Sequence, residues 1–195
     1  MPRLIDHARR DREIGDAALT VLAREGLAGL SVRKVADEAG IATASLRRAF
    51  PTQEALRQFC LDRIRADVGA RIAALAGEGR PLVLALLCEL LPLDETRRVE
   101  LTVQLQLGSL SLTDSSLTGS VRELHDGVRS VCAAALAELD RGSRLRPGLD
   151  LEQEASRLHC LLDGLALHLL WQATENADAR AVAVLDHHLS TLTDD

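Results

Sequence analysis

Three residues in the first quarter of the chain constrain its fold more than any other feature: Ala36, Gly40 and Leu46, in an Ala-x3-Gly-x5-Leu spacing. An alanine lets a second helix approach closely, a glycine four residues on supplies the positive φ of a tight turn, and a leucine six further on pins the next helix into a small core. This is helix-turn-helix spacing. Val32, Val35 and Ala39 complete the apolar face of the first helix, and Ile41, Ala49 and Phe50 supply the rest of the core. The second helix, about 43–50, then presents Thr43, Ala44, Ser45, Arg47 and Arg48 on the side away from Leu46 and Phe50. Arginine reads guanine edges through paired N–H groups, Ser and Thr reach bases or phosphates, and a small Ala admits a thymine methyl. Ser31 and Gln53 lie at helix N-termini, where N–H groups and side chains hold phosphates, and Arg33 joins them as a candidate DNA contact. A tight helical hairpin with a solvated basic face has the same spacing, so the residues alone leave both readings open.

The rest of the chain also reads as helix. Leu, Ala and Arg dominate, β-branched residues are sparse, and apolar positions recur at three and four. Helices are expected at 8–25, from the Ser31 cap to Ala39, at 53–76 after a Thr52 cap, and at 82–91, 95–112, 115–140, 151–173 and 178–193. The 53–76 helix, at about 1.5 Å per residue, is long enough to bridge a head and a body. One stretch has strand periodicity, with Leu101, Val103, Leu105 and Leu107 alternating with Thr102, Gln104 and Gln106. It is kept helical because an isolated strand has no partner in such a chain.

Charge is unevenly placed. The net charge is −6, yet residues 1–65 carry 12 Lys+Arg against 9 Asp+Glu and the remainder 11 against 20. A basic head on an acidic body is the distribution a nucleic-acid-binding segment produces. No apolar run reaches the roughly 18 residues of a membrane span, and the charges in MPRLIDHARRDREIG interrupt any secretory leader. The expected compartment is therefore the cytoplasm, with no membrane partner. Cys60, Cys88, Cys132 and Cys160 form no C-x-x-C pair and read as reduced, buried small hydrophobes. No metal site and no cofactor are expected. His159 and Asp163 are spaced to touch on one helix, whereas His168 is five from Asp163 and His187 and His188 point to different faces. No nucleophile or metal constellation emerges, so the chain is not expected to be an enzyme.

The run AALTVLAREGLAGLSVRKVADEAGIATASLRRAFPTQEAL, within Ile14 to Leu56, resembles the DNA-binding domain of TetR-type transcriptional regulators. The resemblance rests on Ala17, Leu22 and Gly26, on Ser31-Val32-Arg33-x-Val35-Ala36-x-x-Ala39-Gly40-Ile41, and on Leu46 to Phe50 followed by Glu54 and Leu56. Three positions depart from it. The family usually has tyrosine at Arg47, often histidine at Ala49, and at Gln53 a lysine that holds a phosphate, so two customary phosphate contacts are weakened here.

The segment from Glu152 through LHCLLDGLALHLLWQ to Leu192 is similar to the BetI-type ligand-binding domain of one branch of this family. That similarity implies an all-α chain, with a three-helix DNA-binding domain over 1–52 and a ligand-binding and dimerisation domain over 53–195. It further implies that the last two helices pair with their twofold mates. Periodicity independently draws two apolar stripes there: Leu151, Ala155, Leu158, Leu162, Leu165 and Leu169, then Val182, Leu185, Leu189 and Leu192. Leu158, Leu162, Leu165, Leu169, Val182, Leu185 and Leu189 are the expected dimer surface, with each chain's own core the alternative. An effector pocket in the body would draw on Leu101, Gln104, Leu105 and Trp171; Gln104, Gln106 and Ser109 either orient a ligand or face solvent, and Trp171 lines the pocket or fills the dimer interface. With Tyr 0, Trp 1 and Phe 2, no aromatic cage for a quaternary ammonium can be built within one subunit, so choline is not expected to be the effector. The resulting expectation is a homodimeric, ligand-responsive regulator, a repressor on a palindromic double-stranded DNA operator. A helical-bundle carrier or enzyme without DNA function is the alternative.

Overall fold

The 31–50 segment folds as its spacing demands. In a computed structural model, which describes residues 7–142, 145–172 and 174–193, α1 (His7–Gly29), α2 (Val32–Glu38) and α3 (Thr43–Ala49) follow one another, α1 packing on α2 and α2 on α3. Ser31 caps α2 by accepting from the Lys34 N–H at 3.3 Å. At Gly40 the chain turns with φ +66°, and the Ile41 N–H reaches back to the Ala36 carbonyl at 3.0 Å. A side chain at that φ would be strained, so the turn depends on glycine. Thr52 caps the next helix by accepting from the Ala55 N–H at 3.1 Å.

The helices that follow are α4 (Gln53–Ala73), α5 (Gly79–Cys88), α6 (Glu95–Ser111), a 3-10 turn at Ser115–Leu117, α7 (Thr118–Arg141), α8 (Leu151–Trp171) and α9 (Ala177–Leu192). Among the described residues there is no strand, only a single β-bridge between Leu145 and Thr193. The alternating stretch is helical: within α6, Val103 and Leu107 are fully buried while Leu105 is 37% exposed, a four-residue repeat that a strand would not give. Helix α1 extends beyond 25 because its last turn resumes after a kink at Gly26, where φ is +66°. α5 starts at Gly79, ahead of Pro81, because the first N–H groups of a helix need no helical acceptor and proline's missing donor costs nothing there. Asp150 caps α8, accepting from the Glu152 and Gln153 N–H groups at 3.1 and 3.2 Å.

The chain divides into two compact units, 1–66 with 99–122 and 67–98 with 123–195. In the first, Ile14, Ala18 and Val21 of α1, Val35 and Ala36 of α2, Leu46 of α3, Leu56, Cys60 and Ile64 of α4, and Val103 and Leu107 of α6 form the core. The rings of Phe50 and Phe59 pack against each other on its flank, centroids 4.9 Å apart and planes tilted by 54°. In the second, Val83 and Leu87 of α5, Leu136 and Leu139 of α7, Leu158 and Leu162 of α8, and Leu185 and Leu189 of α9 are buried. Arginines stitch this unit. Arg80 donates to the Asp186 carboxylate at 3.0 Å and the Asp186 carbonyl at 2.8 Å, and Arg98 donates to the Leu169 carbonyl at 2.9 Å and Asp178 at 3.1 Å.

The cysteines divide. Cys60 and Cys132 are buried, and burial pushes both thiols up to about 12. Contrary to the expectation of four buried thiols, Cys88 at the end of α5 is half-buried and Cys160 on α8 is exposed. His159 and His188 are both held below the ordinary imidazole value of 6.5, chiefly by burial. Asp163 opposes the shift at His159 and Glu154 that at His188, while His125 and Arg129, and Arg157 and His187, reinforce it. The unfolded chain therefore takes up protons before the folded one as pH falls through the imidazole range, so stability rises with pH up to about 6.5. The urea midpoint should be lower at pH 5.5 than at pH 7.5, and an unchanged or higher midpoint at pH 5.5 would contradict this burial.

Candidate nucleic-acid interface

Packing decides which side chains of α2 and α3 are left for a partner. Val35, Ala36 and Leu46 have no exposed surface, so the opposite side of α3 must face outward. Ala44, Arg47 and Arg48 are exposed there, Thr43 and Ser45 half-buried. Among the described residues, neither Arg47 nor Arg48 makes an ion pair, which leaves two cations on the last turn of a short helix. Arg33 on α2 is exposed, with only a loose 3.9 Å approach to Asp37. Ser31 is half-buried at the start of α2.

Two residues behave differently from their sequence expectation. Ser45 accepts a hydrogen bond from Arg10 Nη2 at 2.7 Å, so a guanidinium of α1 lies against α3. Nothing local to Arg10 in the sequence signals this, since the partners are 35 residues apart. Gln53, expected to contact phosphate, donates its amide to the Leu30 carbonyl at 2.6 Å. One N–H of that amide is therefore spent inside the fold.

The stripes on α8 and α9 turn inward. Leu158, Leu162, Leu169, Leu185 and Leu189 are at most 2% exposed within a single chain, and Leu165 and Val182 are half-buried. Side chains already closed off by their own subunit have no surface to offer a second, so the five buried leucines are core and not a dimer surface. The outward faces of the same helices carry Leu151, Val184 and Trp171, the last 72% exposed. Between α8 and α9 lies a cavity of about 240 Å³, walled by Leu165, Leu169, Ala177, Ala181 and Val184, with His168, Gln172, Thr174 and Arg180 supplying polar groups. Of the residues expected to bind an effector, Leu101 and Gln104 are half-buried and Leu105 is partly exposed on α6, while Trp171 ends α8. None of these four lines that cavity. Gln106, half-buried on α6, has its Oε1 engaged within the fold, accepting from the Leu27 N–H at 2.9 Å.

His159 lies 3.6 Å from Asp163, and its ring packs against that of His125 with centroids 4.6 Å apart and planes tilted by 39°. Among the described residues no group of three or more His, Cys, Asp or Glu is placed to hold a metal ion, and no helix is long and apolar enough to cross a membrane.

Residues 14–58 match the family described as bacterial regulatory proteins of the tetR family, and residues 79–194 match the C-terminal domain of BetI-type transcriptional repressors. The HTH-type transcriptional regulator PksA of Bacillus subtilis is 30% identical over 195 residues, covering 98% of this chain and 94% of its own. The chain belongs to the TetR family of transcriptional regulators. A transcriptional regulator from Rhodococcus sp. Rha1 superposes with a TM-score of 0.78 at 26% identity, covering 93% of this chain and 95% of its own. A structure from Saccharomonospora viridis, solved in complex with choline, superposes with a TM-score of 0.83 at 20% identity, over 96% of this chain and all of the other. In TetR terms, α1–α3 form the helix-turn-helix domain, and the matched C-terminal domain runs from α5 to the end of α9.

Proposed function

We propose that this TetR-family regulator represses transcription as a homodimer on a palindromic operator, each subunit placing α3 in a major groove. The exposure of Arg47 and Arg48 opposite the buried Leu46 carries the reading. Arg47 and Arg48 supply most of the affinity, and Thr43, Ala44 and Ser45 shape sequence preference. Ser31, Arg33 and the backbone at Gln53 hold phosphates, which fix register without reading bases. Functionally, residues 1–52 bind DNA, while 53–195 bind a small effector and the second subunit. The two subunits meet through the outward faces of α8 and α9, where Trp171 is the large apolar anchor. Leu101, Gln104 and Leu105 contribute to the effector site, and the effector acts only through its different affinities for the DNA-bound and free arrangements. Choline, seen with the Saccharomonospora structure, does not transfer, because one subunit here lacks the aromatic residues for a cage. The protein works in the cytoplasm, where its operator is.

Fluorescence anisotropy on the duplex upstream of its own coding sequence, at two salt concentrations and against a scrambled duplex, tests the DNA reading. Selective binding that weakens steeply with salt is expected. Equal, weak binding to that duplex, to the scramble and to every duplex recovered by selection from random DNA would refute it. Sedimentation of the same sample at micromolar concentration should give a dimer, with Trp171 emission shifting to the blue as the dimer forms.

A further inference from the structure

We propose that Gln106 is a positioning residue for DNA reading: from α6 it sets the elbow through which α1 hands the chain to α2 and α3. The proposal rests on the reading of α3 as the DNA-contacting helix. At Gly26 the φ of +66° breaks the helical path of α1, and N–H groups just past such a break lose their acceptors one turn back. The first of them, Leu27 N–H, is taken by Gln106 Oε1 at 2.9 Å, from a residue 79 positions away. Three residues on, the Leu30 carbonyl accepts from Gln53 Nε2 of α4 at 2.6 Å. The elbow 27–30 is thus gripped at both ends by side-chain amides, one an acceptor from α6 and one a donor from α4.

Leu30 is 3% exposed, and Leu27, Gln53 and Gln106 are half-buried, so both amide contacts are partly shielded from solvent. Ser31 caps α2 directly after the elbow, and the fully buried Val35, Ala36 and Leu46 make α2 and α3 follow it as one piece. A Leu27 N–H stripped of this partly shielded acceptor costs the fold a hydrogen bond, and the elbow relaxes to recover a partner. Such a movement displaces α3 relative to the rest of its unit. Ion pairs of Arg24 with Glu38, at 3.0 Å, and of Lys34 with Glu25 also join α1 to α2, but they are exposed and weak.

The test uses the full chain labelled with ¹⁵N. In the wild type, the Leu27 amide should be protected from hydrogen exchange. Gln106→Leu keeps the bulk and removes the acceptor. It should speed exchange at Leu27 by about tenfold and weaken binding to a duplex selected from random DNA by the wild type by about tenfold, one hydrogen bond's worth. Binding to an arbitrary duplex and the oligomeric state should not change. Gln106→Glu retains an acceptor and should restore both protection and affinity, which bulk packing alone would not require. Wild-type affinity for the selected duplex in Gln106→Leu, or a Leu27 amide that exchanges freely in the wild type, overturns the proposal. If Gln106→Leu does not fold, wild-type exchange and Gln106→Glu decide it. If the wild type selects no duplex, the DNA reading of α3 has failed, and exchange at Leu27 still shows whether the elbow is held.

Discussion

Replacing Arg47 and Arg48 together by alanine should abolish selective DNA binding while leaving the fold intact. Both side chains are exposed, and neither is paired among the described residues, so truncation removes no contact on which the fold depends. Each good arginine contact to a base edge contributes about 1–3 kcal/mol. A twofold dimer loses each contact twice, so even one such contact per subunit corresponds to a loss of about 30-fold to more than 10⁴-fold. The single variants separate the roles. An arginine that reads a base relaxes preference at one operator position, whereas one that holds a phosphate weakens all duplexes alike and lowers the salt slope by about 1 per contact. Anisotropy on matched and scrambled duplexes over a salt series measures both. Unchanged affinity and salt slope in the double variant would show that α3 is not the DNA-contacting helix.

Leu46→Ala should cost about 2–5 kcal/mol, the range for emptying a fully buried leucine site. The loss falls on a short helix. α3 is 7 residues long and Leu46 is its only fully buried side chain, so apart from the Arg10–Ser45 hydrogen bond and the half-buried Thr43 and Ser45 it is the main anchor of that helix. Against a total stability of about 5–15 kcal/mol, the outcome is a chain whose second unit persists while α3 frays. Exchange protection should vanish across 43–49, and selective DNA binding with it. Leu112→Ala, at a leucine 86% exposed, is the control and should shift stability by no more than about 0.5 kcal/mol. If Leu46→Ala unfolds and binds DNA as the wild type does, the helix-turn-helix core has been misassigned.

The local grammar of the chain was legible in advance because its signals are short-range. Ser31 and Thr52 cap where a hydroxyl before an apolar run should, Gly40 turns where a positive φ is needed, and Leu46 is buried where the spacing from Ala36 requires. The 101–107 stretch shows the limit even at short range. Its alternation suits a strand, but a strand needs a neighbour for its N–H and C=O groups and there is none among the described residues, so the helix prevails.

The outward-facing residues of α3 were readable for the same reason as the helices. On a short helix with one buried position, everything opposite that position must be outside. The partners of longer helices were not readable. Periodicity draws the stripes of α8 and α9, but an apolar stripe does not say whether its own chain or a second one covers it, and the fold spends Leu158, Leu162, Leu169, Leu185 and Leu189 on itself. Gln53 and Gln106 show this most clearly. Each looks like a polar residue available to phosphate or ligand, yet each closes a hydrogen bond on the 27–30 elbow, 23 and 79 residues away. Hydrogen bonds between distant residues depend on where helices converge in space, and no local pattern encodes that. The sequence by itself determined the helices, the turn between α2 and α3 and the face that α3 turns outward; only the tertiary structure decided which polar side chains are engaged within the fold, because burial and pairing are properties of the packed chain.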